Sequence, residues 1–96
     1  MRPDSVKAAH WFLRAATKGV VEAQMFLGVM HLNGDGVPKS AVLAYMWSDV
    51  AVEAGYAQAI DFRAAVARNL TPQQIDEAKR LSLRWRRLQE ASAGRN

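Results

Sequence analysis

Apolar and small residues recur along this chain at three- and four-residue spacing, with no sustained polar–apolar alternation. That period belongs to helices rather than strands. Breakers at Gly19, Gly34 to Pro38, Gly55 and Leu70-Thr71-Pro72 leave five segments filled with strong helix formers, alanine above all. The pattern predicts five helices, over about 5–18, 21–33, 40–54, 57–69 and 72–90. Asp4 or Ser5 can cap the first, and Ser40 the third, because a short side-chain oxygen accepts an orphan backbone N–H. The fifth has the fullest start signal: Thr71 as N-cap, Pro72 at the first helical position, and Gln74 completing a capping box. Gly19 and Gly55 each end a helix in the left-handed conformation that glycine adopts without strain.

The chain also matches itself. Shifted by 36 residues, Ala8 falls on Ala44, Trp11 on Trp47, Ala15 on Ala51, Gly19 on Gly55, Ala23 on Ala59 and Phe26 on Phe62. Each unit holds two helices, and a short turn after its glycine makes them antiparallel. Repetition of such a pair is the signature of an α-solenoid. In the first helix, Ala8, Trp11, Phe12, Ala15 and Ala16 form one apolar face, and Lys7, His10, Arg14 and Thr17 lie opposite. In the second unit those polar positions become Leu43, Met46, Val50 and Glu53. Something is therefore expected to pack there. The last helix, with Ile75, Ala78, Leu81, Trp85 and Leu88 at helical spacing, is the candidate. It would act as a cap with its arginine-rich side toward water.

These residues resemble a known family. "AAHWFLRAATKGVVEAQMFLGVMHLNGDGV" is similar to the Sel-1-like repeat, a relative of the tetratricopeptide repeat. The pattern is carried by Ala8, Trp11, Ala15-Ala16, Gly19, Ala23-Gln24, Leu27-Gly28 and Gly34-Asp35-Gly36-Val37, and again by "AVLAYMWSDVAVEAGYAQA". His31 stands where the family commonly has an aromatic residue, and Arg63-Ala64 replaces Leu27-Gly28 in the second unit. The resemblance implies an all-α, right-handed α/α superhelix: repeat one over 4–39, repeat two over 40–70, a capping helix over 71–90 and a flexible tail over 91–96. It also implies an adaptor or scaffold that binds another protein or peptide through a concave surface lined by the first helix of each unit. The family shares no catalytic residues and no cofactor, so none is carried over.

Composition narrows the chemistry. There is no cysteine, which excludes disulfides and thiolate metal sites. No stretch is long and apolar enough to span a bilayer. The start has no apolar core of the signal-peptide kind, so a chain beginning here would stay in the cytoplasm. The glycine-rich "HLNGDGVPKS" lacks both the strand and the Gly-Lys-Ser/Thr ending of a phosphate loop, and the ligand spacing of a calcium loop. It reads as the joint between repeats. His10 and His31 are far apart in the sequence and do not pair as ligands at helical spacing, and no nucleophile or acid–base pair stands out. The net charge is +4, and from Thr71 onward six basic residues face three acidic ones. "KRLSLRWRR" therefore carries an alternative reading, binding of nucleic acid or an acidic partner by arginines beside Trp85. The exposed Lys7, His10 and Arg14 are the expected partner contacts. The open N-terminal repeat face is expected either to be a seam to further repeats or to associate with a second copy.

Overall fold

A computed structural model describes residues 3–93. Five helices follow one another: α1 Pro3–Thr17, α2 Val21–Asn33, α3 Ala41–Glu53, α4 Ala59–Ala67 and α5 Pro72–Ala93. There is no strand among the described residues, and the fold is an all-α helical repeat solenoid.

Most boundaries have a local cause. The Ser40 side chain accepts from the Leu43 N–H at 3.1 Å and opens α3. Thr71 and Gln74 form the reciprocal box that opens α5, with bonds of 3.1 and 2.9 Å. Gly19 and Gly55 follow α1 and α3 at φ of 89° and 96°. The first helix departs from expectation. It begins at Pro3, so Asp4 and Ser5 lie inside its first turn rather than at its cap. Proline's fixed φ suits the first helical position, and Asp4 there complements the helix dipole. Helix α4 is shorter than expected, because its last turn tightens into i→i+3 bonds from Arg68, Asn69 and Leu70. Helix α5 continues to Ala93, into the stretch expected to be a tail; residues 94–96 lie outside the described residues.

Helix α3 is the centre of the molecule. Every residue from Ala44 to Ala51 is buried. Such a helix must be apolar nearly all round, as "AVLAYMWSDVAVE" is. One cluster joins Met46, Trp47 and Val50 to Ala16, Ala23 and Leu27 of the first unit, with Leu81 and Trp85 of α5 packed against it. A second joins Ala44 and Tyr45 to Val66 and Ala78, with Phe62 and Ile75 at its edge. Close approach depends on small residues. A Cβ on Gly28 would stand 3.1 Å from both the Ala44 carbonyl oxygen and the Phe62 ring. Gly36, at φ 78°, lies against the Ser5 carbonyl, where a Cβ would collide with backbone.

The α2–α3 joint is held by His31. Its carbonyl accepts from Ser40 N–H at 2.8 Å. Its buried ring places Nδ1 2.9 Å from the Pro38 carbonyl. A carbonyl can only accept, so Nδ1 carries the proton. The histidine thus ties down the loop that the glycines allow to turn.

Candidate functional site

Helices α1 and α3 start from equivalent sequences and end in different environments. Trp47 is 6% exposed, whereas its repeat partner Trp11 is 70% exposed. Ala44 and Ala51 are fully buried, but Ala8 and Ala15 are only half-buried; the buried alanines of α1 are Ala9 and Ala16. The apolar face expected around Trp11 has therefore turned. Trp47 is enclosed by the first unit on one side and by Trp85 on the other, whose ring meets it edge-on at 5.2 Å. No described residue covers the same position on α1 in this way. Phe26 is likewise 52% exposed, stacked on Phe12 at 5.1 Å, while its partner Phe62 packs into the second cluster.

Lys7, His10 and Arg14, one helical face by spacing, are all exposed. The structure brings them together around Trp11, in a shallow depression of about 220 Å³ that these four residues line. The Arg14 guanidinium lies over the Trp11 ring, 5.6 Å from its centroid. Among the described residues, neither Lys7 nor Arg14 forms an ion pair within 4.0 Å. Trp11 is the member that sequence reasoning placed in the core. A signal did exist: the aliphatic positions of α3 that flank Trp47 are Lys7, His10 and Arg14 beside Trp11. At the equivalent places α3 carries Leu43, Met46 and Val50, which belong to the core cluster that Leu81 and Trp85 of α5 border, while Trp47 of α3 and His10 of α1 both line a separate groove of about 150 Å³.

The arginine-rich helix is divided. Trp85 turns inward on Trp47, so it does not share a face with Arg80, Arg84 and Arg87. Leu88, expected in the packed stripe, is 60% exposed, and Ser82 is buried instead. Arg86 does not face open water either. It approaches Asp49 at 4.0 Å, while Arg63 binds the other oxygen of that carboxylate at 2.7 Å. Asp49 is only 4% exposed. In the first unit the positions of Asp49 and Arg63 are held by Leu13 and Leu27. The second unit has exchanged an apolar pair for an ion pair that α5 completes. No group of three or more His, Asp or Glu able to hold a metal occurs among the described residues. Nor is any described helix long and apolar enough to cross a membrane.

The family model for the Sel1 repeat matches residues 1–20 and 21–56, together more than half of the chain. The chain belongs to the Sel1 repeat family. A solved structure of similar form is that of a protective antigen present in uropathogenic Escherichia coli strains, displaying an SLR fold. It superposes with a TM-score of 0.82 at 30% identity over 88% of this chain. The chain spans only 18% of that antigen. Among curated proteins, none matches. Sel1 repeat proteins are generally scaffolds for protein interaction rather than catalysts.

Proposed function

We propose that this chain is a non-enzymatic interaction module that holds an acidic segment of another protein on the outer face of α1. The observation that carries the reading is Trp11, exposed in water with Arg14 laid over it and Lys7 and His10 beside it. Tryptophan and arginine together are the side chains that most often dominate binding energy at protein interfaces. The aromatic supplies apolar area, and the two permanent cations select a partner of opposite charge. The repeat comparison supports this direction. Where the second unit has Leu43, Met46 and Val50 for an apolar neighbour, the first has residues suited to a charged one.

The test is capture from the native host followed by mass spectrometry, with Trp11→Ala and a Lys7→Glu/Arg14→Glu double variant run beside the wild type. Proteins lost from both variants, while both keep the wild-type melting curve, are the expected result. Capture of the same proteins by all three rules this surface out.

A further inference from the structure

Once Trp85 has turned inward, the opposite side of α5 has a composition of its own. Arg80, Arg84 and Arg87 are exposed, and Leu83 and Leu88 stand among them at 39% and 60% exposure. These five residues line one shallow groove of about 280 Å³. Their spacing gives a single stripe about two turns long, roughly 12 Å. Among the described residues, none of the three arginines forms an ion pair within 4.0 Å. The buried carboxylate on the other side of the helix, Asp49, is already engaged by Arg63 and Arg86.

We infer that this face of α5 is a second docking surface, and that it takes an acidic amphipathic helix of a partner protein. The leucines receive the apolar stripe of that helix, and its flanking carboxylates pair with the arginines. Arginine's planar fork suits carboxylates in a bidentate arrangement. Two other anionic partners fit less well. A nucleic acid would use the arginines and leave the leucines in water, and its bases would find no ring to stack on, because Trp85 lies against Trp47. An anionic bilayer needs a broad apolar stripe, and that of α5 is already committed to the core through Ala78, Leu81 and Trp85. The surface is separate from α1 and does not depend on the reading of Trp11.

The test is fluorescence anisotropy of the whole chain with a labelled synthetic helix that carries leucines along one stripe and glutamates beside it. Binding in the micromolar range is expected. Arg84→Glu should weaken it about tenfold or more, and Leu88→Ala about fivefold, with unchanged melting of both variants. The Lys7→Glu/Arg14→Glu variant should bind the peptide as the wild type does. A scrambled peptide of the same composition, phosphatidylglycerol vesicles and oligo-dT are the competing probes. The inference is overturned if the peptide fails to bind at millimolar concentration, or if its scrambled form binds equally well. It is also overturned if Leu88→Ala has no effect, if the α1 variant abolishes binding, or if vesicles or oligo-dT bind more tightly.

Discussion

Trp11 and Trp47 occupy the same place in the repeat, and the difference between them is a difference of neighbours. Replacing Trp47 by alanine removes a ring enclosed on both sides and should cost about 3–5 kcal/mol in urea unfolding. Trp11→Ala should change stability by no more than about 0.5 kcal/mol, because most of its surface is already in water. An equal loss in both would mean that α1 is packed differently. The glycines make a second pair. Gly19 and Gly36 both sit at positive φ, but a Cβ on Gly19 meets nothing within 4 Å, whereas on Gly36 it meets the Ser5 carbonyl. Gly19→Ala should therefore cost only the left-handed strain, about 1–2 kcal/mol. Gly36→Ala should cost clearly more, because the α2–α3 joint must lift off α1. Equal midpoints in denaturant would refute that difference.

Among the elements, the ion pair at the junction of α3, α4 and α5 invites a double-mutant cycle. Asp49→Leu alone leaves Arg63 and Arg86 without their carboxylate, and Arg63→Leu alone leaves Asp49 short of its closest partner; each should destabilise. The double variant puts leucine at both positions, as the first unit has in sequence, and should recover most or all of the loss, since apolar residues that pack well often replace a buried ion pair at no net cost. Additive losses in thermal melts would show that the two side chains do not act as a unit. This pair also marks the limit of what the sequence could tell. Caps and breakers are local, so the ends of α2 and α3 and the start of α5 were legible from Ser40, Thr71, Pro72 and the glycines. Asp49 and Arg63 are fourteen residues apart on different helices, and their meeting depends on how three helices pack. Leu88 misled for a related reason: the 3.6-residue period carries the buried stripe through Ser82, and hydrophobicity alone selects the leucine instead. Trp11 misled because a repeat pattern says which side chains can be buried, and only the neighbouring unit decides whether they are. Lys7, His10 and Arg14 were legible as one polar face; the tryptophan at its centre was not.

At the scale of the whole molecule, stability in a repeat array is close to a sum of units and the interfaces between them. Here the interface of the second unit is supplied by α5, which fixes what its removal should do. A chain ending at Leu70 would uncover the side of Tyr45, Met46, Trp47 and Val50 that now meets Ala78, Leu81 and Trp85. The first unit cannot compensate, because its own contacts with α3 lie on another side, through Ala16, Ala23 and Leu27. The truncated chain is therefore expected to lose its cooperative thermal transition and to bind a dye that reports exposed apolar surface. Adding a synthetic peptide of residues 71–93 should restore the transition, since the missing interface lies within that helix and Thr71 brings its own cap. Trp85→Ala in that peptide should weaken the rescue, because the ring it deletes is the one that closes over Trp47. A sharp transition at an unchanged midpoint in the truncated chain would mean that the two helix pairs stand alone, and that α5 serves only to present its outer face.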